Sequence, residues 1–433
     1  MAEPARLAAA LAAGALAARF PDLPLVEPDT QRLSPADTRL AVAIHRHSLQ
    51  RWLTIEAFLQ GALRGPVAKL TPATRGVLLN AGAQLLFMDR LPAYAVIDAA
   101  AALARRLDQP RAAGLVNATL RKAAGFIEDR DAKPWSPDAQ ALPWLTTVSK
   151  EDPTPIFGSV HLSRRLLPKP DNLLTHLSVA CSLPLALMQR WFKEFGREEA
   201  TRLALQSMAN PPTFVVENEA PRVWDAGHAE LVDFLAADPQ RRVQDPASIA
   251  SVAAAADAKI TPSRILDFCA GRGTKTRQLA ALFPEANITA WDPDDARRED
   301  LHAVAASFPQ VTVLDTAPAS SDTHDLVVLD VPCSNTGVLA RRPGARYRAT
   351  ADSRAGLVAL QRTILAQGLQ RTSSGGHVLY CTCSVDPEEN QQQARWAMEQ
   401  AGEGAALKSE AVLLPTASPT YHDGSYHALI ALR

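Results

Sequence analysis

Residues 265–276 read Ile-Leu-Asp-Phe-Cys-Ala-Gly-Arg-Gly-Thr-Lys-Thr, a short apolar run followed by a turn of small residues. The apolar run predicts a buried strand, and the turn after it opens a segment with helical periodicity. Glycines let such a turn bring its backbone close to a ligand, and ligands of doubly wound sheets bind at the carboxyl ends of the strands. The stretch therefore predicts the first strand and a candidate binding loop of an α/β domain.

The sequence after residue 244 continues this alternation of strands and helices. We predict helices over Lys275–Phe283 and Arg354–Gln370, and strands over Ile265–Phe268, Ile288–Trp291, Val311–Leu314, Leu326–Leu329 and His377–Tyr380. Alternating elements of this kind form a mostly parallel sheet with helices on both faces. Tyr426–Leu432 offers one further strand, which we expect to be antiparallel.

The N-terminal part has a different hydrophobic pattern, because its apolar residues from Ala36 to Ala124 recur at helical spacing. Ser34, Thr71 and Pro92 stand where helices are expected to begin. We predict an all-α domain over residues 1–132, a proline-rich linker or insertion over 133–170, a small α/β subdomain over 171–245 and the α/β domain over 246–433.

The composition is that of an ordinary globular protein, with 47% hydrophobic and 21% charged residues. The apolar stretch from Leu7 to Ala18 is too short to cross a bilayer, so we expect a cytoplasmic protein without a membrane partner. The five cysteines are an odd set with no repeated pair spacing, which argues against a disulfide framework and a zinc site. We expect a monomer with no bound metal, whose free thiols are available for chemistry.

Two acidic residues follow the next strands of the α/β domain. Asp292 ends the second strand, 25 residues after Asp267, where a carboxylate can accept both hydroxyls of a ribose. Asp315 ends the third strand and is placed to reach an adenine edge. Because a Walker lysine–serine pair and a complete Gly-x-Gly-x-x-Gly are missing, a nucleoside without pyrophosphate fits better than NAD or ATP. The alternative for both acids is helix capping or solvation of a strand end.

Two cysteines follow the fourth and fifth predicted strands, on the rim that holds the candidate binding loop. Residues 330–337 read Asp-Val-Pro-Cys-Ser-Asn-Thr-Gly, which contains Cys333, and residues 382–390 read Thr-Cys-Ser-Val-Asp-Pro-Glu-Glu-Asn, which contains Cys383. A buried cysteine is commonly a small hydrophobic residue, and we favour that interpretation for Cys181, Cys269 and Cys381. The position of Cys333 and Cys383 on the rim favours a chemical role instead.

These motifs resemble those of the RNA cytosine-5 methyltransferases. With the helical N-terminal part they are most similar to the RsmB (Sun/Fmu) type, which modifies small-subunit ribosomal RNA. The resemblance covers most of the chain and includes Gln84-Leu85-Leu86 and residues 114–121, Gly-Leu-Val-Asn-Ala-Thr-Leu-Arg, which resemble the NusB fold. It implies a Rossmann-like S-adenosylmethionine methyltransferase domain preceded by an all-α NusB-like RNA-binding domain.

The resemblance also implies roles for individual residues. Carbon 5 of cytosine is too electron-poor to accept a methyl group until a thiolate adds to carbon 6. In the family the thiolate belongs to the Thr-Cys-Ser motif, here Cys383, and the Pro-Cys-Ser cysteine, here Cys333, assists product release. The chemistry itself also has a place for a carboxylate that stabilises the N3 edge of the base, so we predict Asp330 as a third catalytic residue. The implied cofactor-binding residues are Cys269, Ala270, Gly271, Arg272, Gly273, Thr274, Lys275, Asp292, Asp315 and Asp330.

An arginine-rich segment follows the first of these cysteine motifs. Residues 339–371 contain seven arginines and a single acid, Asp352. Such a segment attracts RNA phosphates, and the family has a basic segment at the same place. The residues that we predict to bind RNA are Arg341, Arg342, Arg346 and Arg348.

The cofactor loop departs from the family pattern, since Arg272 stands in place of a proline and Thr274 in place of a second glycine. One alternative is therefore an RNA-binding assembly factor with a degenerate cofactor loop. A second alternative is an enzyme that methylates another RNA, such as transfer RNA, because the motifs encode the chemistry and not the target.

Overall fold

The structure is a computed structural model that describes residues 4–21, 23–24, 26–108, 110–145, 157–417 and 420–433. Its α-helices are α1 (Pro4–Ala17), α2 (Pro35–Gln50), α3 (Trp52–Gln60), α4 (Pro72–Phe87), α5 (Ala93–Leu107), α6 (Pro110–Ala124), α7 (Leu173–Ala180), α8 (Leu185–Gln206), α9 (His228–Ala236), α10 (Pro246–Asp257), α11 (Thr274–Leu282), α12 (Asp295–Ala305), α13 (Ala345–Arg348), α14 (Ala351–Gln370) and α15 (Gln391–Ala401). Its strands are β1 (Ile127–Asp131), β2 (Ala141–Leu145), β3 (Phe157–Leu162), β4 (Phe214–Glu217), β5 (Ala220–Val223), β6 (Arg242–Val243), β7 (Arg264–Asp267), β8 (Asn287–Ala290), β9 (Val311–Val313), β10 (His324–Asp330), β11 (Thr372–Thr382), β12 (Ala406–Leu413) and β13 (Ser425–Ala431).

The chain divides into two compact units. The helical unit consists of residues 1–209, 339–350 and 417–419, and the sheet unit consists of residues 210–338, 351–416 and 420–433. The four domain boundaries that we derived from the sequence stay a prediction. Within the described ranges, no helix is long and apolar enough to span a membrane.

Helices α1–α6 build the core of the helical unit, which confirms a helical N-terminal domain, although strand β1 lies within the range 1–132 that we predicted to be all-α. Two of the expected capping residues act as expected: the Ser34 hydroxyl accepts from the Asp37 amide, and the Thr71 hydroxyl accepts from the Thr74 amide. Each cap is followed by a proline at the start of the helix, where no amide donor is needed. Helix α4 is buried along nearly its whole length, so it is the central helix of this unit.

A small sheet combines the end of the predicted all-α domain, which contains β1, with part of the predicted linker, which contains β2 and β3. Strands β1, β3 and β2 pair antiparallel in that order, with β3 in the middle. Pro143 lies in the edge strand β2, where a missing amide donor is tolerated. Prolines and weak periodicity concealed these strands in the sequence. Residues 146–156 of the same segment lie outside the described residues.

Among the described residues, the main sheet of the sheet unit has the strand order β12-β13-β11-β10-β7-β8-β9. Strands β7 to β11 are parallel to their neighbours in this group, and β13 runs antiparallel to β11, as the sequence predicts. Alternate residues of the strands enter two apolar clusters, one on each face, with Val328 in one and Val327 in the other. The carboxyl ends of β7, β8, β10 and β11 therefore share one edge, which carries the predicted site.

The sequence analysis did not predict one strand of this sheet. Strand β12 is at the sheet edge and is half exposed, with Lys408 and Glu410 within it. Charged residues on an edge strand hide the apolar alternation by which strands are recognised.

Candidate active site

The loop between β7 and α11 adopts a conformation that requires glycine. Gly271 has φ +57° and Gly273 has φ +85°, in the left-handed region that other residues rarely adopt. A Cβ atom at Gly273 would lie 2.7 Å from Cγ2 of Val304, so α12 closes that side of the loop. A Cβ atom at Gly271 would meet nothing within 4 Å, so the backbone there faces open space.

Two buried carboxylates lie beside this loop. Oδ2 of Asp292 accepts from the Gly271 amide at 2.9 Å, and Oδ1 accepts from the Asp294 amide at 3.0 Å. Oδ2 of Asp267 accepts from the Thr276 hydroxyl at 2.7 Å. Burial raises the pKa of Asp267 to about 7, and among the described residues its buried Oδ1 has no hydrogen-bond partner. An unpartnered buried acceptor beside an open loop fits a ligand with amino and hydroxyl donors, and S-adenosylmethionine has both.

An ion pair joins the loop to the end of β10. Nζ of Lys275 donates to Oδ2 of Asp330 at 2.6 Å, and the lysine side chain is 15% exposed. Burial is the largest single influence and disfavours the charged ammonium, but the attraction and hydrogen bond of Asp330, together with Cys381 and Cys383, outweigh it, so the pKa of Lys275 is raised. Cys383 therefore lies within the electrostatic range of Lys275. The pair fixes one oxygen of Asp330 and leaves its partly exposed carboxylate facing the rim.

The two predicted catalytic thiols meet on this rim. Sγ of Cys333 lies 3.0 Å from Sγ of Cys383. The hydrogen bond to Cys383 and burial both raise the pKa of Cys333 well above its usual value. Cys383 is the more exposed of the two thiols, so the arrangement pairs a buried protonated thiol with an accessible one.

Polar side chains hold the backbone on both sides of Cys383. Oδ1 of Asn390 accepts from the Thr382 hydroxyl at 2.6 Å, and its Nδ2 donates to the Ser384 carbonyl at 2.9 Å. The Gly337 amide donates to the Cys383 carbonyl at 3.0 Å. These hydrogen bonds hold the backbone of the Cys383 loop in place within the protein itself, as a preorganised site requires.

Three predicted cofactor-binding residues differ from the rest in exposure or hydrogen bonding. The Arg272 side chain is 73% exposed and pairs with Asp300 at 2.6 Å, so it extends toward solvent. Asp315 is 82% exposed and forms a 3.1 Å contact with His302. Cys269 is half-buried, and burial raises its pKa. Contact of these three residues with a cofactor stays a prediction.

The predicted RNA-binding arginines belong to the helical unit. For one of them, Arg346, the structure corrects the prediction. Arg346 is completely buried, and its guanidinium donates to the carbonyls of Gln50, Cys181 and Ser207 at 2.8, 3.0 and 2.9 Å. It cannot contact RNA phosphates, because it serves as a structural link between the ends of three helices. In contrast, Arg342 is exposed.

Sequence reasoning missed one buried residue of the site. Glu389 is fully buried and accepts hydrogen bonds from Ser334 and from Ser384, the residues that follow the two thiols. The adjacent Glu388 pairs with Arg354 near the surface. Nothing in the sequence distinguishes these neighbouring glutamates.

Comparison with known proteins identifies related chains. The sequence model of "16S rRNA methyltransferase RsmB/F" matches residues 258–415, and that of the "NusB family" matches residues 9–125. The chain is 27% identical to ribosomal RNA small subunit methyltransferase B of Vibrio cholerae, over 93% of this chain and 91% of the relative. It is 28% identical to the protein of the same name from Xanthomonas campestris, over 86% and 82%.

The fold has a counterpart among solved structures. The crystal structure of PH0851 superimposes with a TM-score of 0.65 and 18% identity, over 99% of this chain and 98% of that one. Together with the two sequence models, this similarity confirms a helical NusB domain followed by a Rossmann-like methyltransferase domain, for which S-adenosylmethionine is the methyl donor. Residues 258–415 belong to the RsmB/F family of 16S rRNA methyltransferases, and residues 9–125 belong to the NusB family.

Proposed function

We propose that the protein methylates carbon 5 of a cytosine in small-subunit ribosomal RNA, with Cys383 as the covalent nucleophile. The observation that carries this proposal is the 3.0 Å separation of the Cys333 and Cys383 sulfur atoms beside the Lys275–Asp330 pair. A methyltransferase that acts on an oxygen or an exocyclic nitrogen has no need of thiols, whereas carbon 5 of cytosine must first be activated.

The chemistry divides between the two thiols. The Cys383 sulfur adds to carbon 6, and carbon 5 becomes nucleophilic. When bound, S-adenosylmethionine supplies an electrophilic methyl group. Once carbon 5 carries the methyl group, its proton passes to water, the electron pair of that C–H bond re-forms the double bond between carbons 5 and 6, and the Cys383 sulfur leaves as a thiolate. Because its pKa is raised, Cys333 keeps its proton and is suited to assist release, which leaves Cys383 to attack.

Other residues of the sheet unit orient the reactants. Asp292 and the backbone around Gly271 would hold the ribose and the methionine part of the donor, since they present a buried carboxylate and an open backbone. Asp330, which Lys275 fixes, is suited to bind the N3 edge of the cytosine. The base would have to leave its stack to reach the thiols, so an unpaired cytosine is favoured.

RNA binding would use the helical unit. The relatives act on ribosomal RNA by name, and the helical unit includes a NusB-type domain. We include Arg341, Arg342 and Arg348 as phosphate contacts, and the cytoplasm as the place where ribosomal RNA is modified. Transfer RNA remains the alternative substrate.

The test is to incubate the purified protein with 16S ribosomal RNA, assembled small subunits or transfer RNA and with radiolabelled S-adenosylmethionine, and then to map 5-methylcytosine by bisulfite sequencing. We expect incorporation at a defined cytosine of the ribosomal RNA and none with Cys383→Ser. Isothermal titration with the cofactor separates the enzyme from a non-catalytic assembly factor, which would bind RNA without binding the cofactor.

A further inference from the structure

A single buried carboxylate connects the two thiol loops. Oε2 of Glu389 accepts from the Ser334 amide at 2.8 Å and from Nε2 of Gln361 at 3.0 Å. Oε1 accepts from the Ser384 hydroxyl at 2.8 Å. Ser334 follows Cys333 and Ser384 follows Cys383, so each carboxylate oxygen holds the residue next to one thiol.

Hydroxyl groups extend this connection. The Ser384 hydroxyl lies 3.0 Å from the Thr336 hydroxyl and 3.2 Å from the Ser334 hydroxyl. The Thr336 hydroxyl also accepts from the Val385 amide at 3.2 Å. The loops after β10 and β11 are thus joined through side chains beyond the last paired strand residues, Asp330 and Cys381.

The burial of Glu389 calls for an explanation. A buried carboxylate costs several kcal/mol unless hydrogen bonds compensate for lost water, and an apolar residue of similar volume is often at least as stable. All three donors to Glu389 are neutral groups. Fold stability alone therefore does not favour a carboxylate here, whereas fixing the positions of two loops requires one side chain with a hydrogen-bonding atom for each loop.

We propose that Glu389 is a positioning residue that sets the distance between the Cys333 and Cys383 thiols. This inference rests on the proposed function, in which both thiols act on the same cytosine. Displacement of a reacting group by about 1 Å can cost about 100-fold in rate. The hydrogen bonds of the carboxylate described above go to Ser334, Gln361 and Ser384 and not to the sulfur atoms. Loss of the carboxylate would nevertheless free both loops and thereby both thiols.

The test uses the full-length protein and two measurements. The first is binding of phenylarsine oxide, which joins two close thiols: two arsenic–sulfur bonds form, and the arsenic-bound oxygen leaves as water with the two thiol protons. Cys333→Ala supplies the background from other cysteines. The second is the single-turnover rate of methylation. The variants are Glu389→Ala, Glu389→Gln and, as a matched control, Glu388→Ala, whose side chain pairs with Arg354 outside the thiol loops.

We expect Glu389→Ala to weaken arsenical binding about tenfold or more, because chelation depends on the effective concentration of the second thiol, and to slow methylation about 100-fold. Glu389→Gln should stay within about threefold of wild type, since its amide oxygen can accept from Ser334 and Gln361 while its amide nitrogen donates to the Ser384 hydroxyl. Glu388→Ala should match wild type. If Glu389→Ala does not fold, as judged by circular dichroism, Ser384→Ala removes one of the three donors and should lower both quantities in parallel.

Several results would overturn the proposal. One is an unchanged arsenical affinity in Glu389→Ala or Ser384→Ala, and another is a weakened affinity with an unchanged methylation rate. A wild-type protein that binds the arsenical no better than Cys333→Ala would remove its geometric basis. A further outcome separates the two proposals. If the arsenical affinities follow the expected order but none of the proteins methylates RNA, wild type included, the proposed reaction is overturned and the positioning of the thiols by Glu389 is supported.

Discussion

The sulfur atoms of Cys333 and Cys383 lie 3.0 Å apart, although 50 residues separate them in the chain. Parallel pairing of β10 with β11 brings the two loops together, because the carboxyl ends of adjacent strands lie on one edge. Both thiols can therefore reach one base, and the environment of each predicts a different kinetic role.

The first prediction separates these roles. Cys383→Ser should abolish methylation and any covalent RNA adduct, because a hydroxyl is a far weaker nucleophile than a thiolate. Cys333→Ala should form the adduct without resolving it, and a protein–RNA band should persist on a denaturing gel. A band in Cys383→Ser that is missing in Cys333→Ala would reverse the two roles. Intact methylation without a band in either variant would exclude the covalent mechanism.

The second prediction concerns the cofactor. Asp292→Ala should weaken S-adenosylmethionine binding by about 10-fold to 100-fold, the value of one or two hydrogen bonds to a charged group. This loss of affinity has two sources: the ribose loses its hydrogen-bond acceptor, and the Gly271 amide loses the carboxylate that orients it. Isothermal titration measures the affinity. Asp295→Ala is the control, because that side chain is 91% exposed. Equal affinities of the two variants would contradict the placement of the ribose at Asp292.

The third prediction concerns RNA binding by the arginine segment. Replacing both Arg341 and Arg342 with alanine should reduce the slope of log affinity against log salt by roughly one unit per lost phosphate contact. Filter binding at several salt concentrations provides the slope. Arg264→Ala is the control, because Arg264 is at the start of β7, opposite the edge that carries the site. A slope equal to that of the control would show that the segment does not bind phosphates.

The fourth prediction follows from the buried Arg346. Arg346→Ala should destabilise the helical unit by roughly 3 kcal/mol or more, since several buried carbonyls would lose their donor. The salt dependence of RNA binding should be unchanged. Urea unfolding followed by circular dichroism measures the loss, with the exposed Arg342→Ala as control and an expected effect within about 0.5 kcal/mol. Equal stability of the two variants would contradict a structural role for Arg346.

Patterns that are local in the chain were readable from the sequence. Helical periodicity with capping residues such as Ser34 and Thr71 predicted the helical domain, and apolar runs ending in acids or cysteines predicted five parallel strands to within a few residues. The glycine-containing turn predicted the loop at Gly271 and Gly273. These features depend on backbone propensity and side-chain spacing, which a short stretch of sequence contains.

Burial and long-range contact were decided only by the tertiary structure. Arg346 and Arg342 belong to the same basic segment, yet one is buried and the other is exposed. Glu388 and Glu389 are adjacent and identical in type, yet Glu389 alone of the two joins the thiol loops. Charge and residue type determine what a side chain can do, whereas packing against distant elements determines whether it meets solvent or a buried donor. The sequence by itself determined the fold class and the reactive groups, and the three-dimensional packing decided which charged side chains support them.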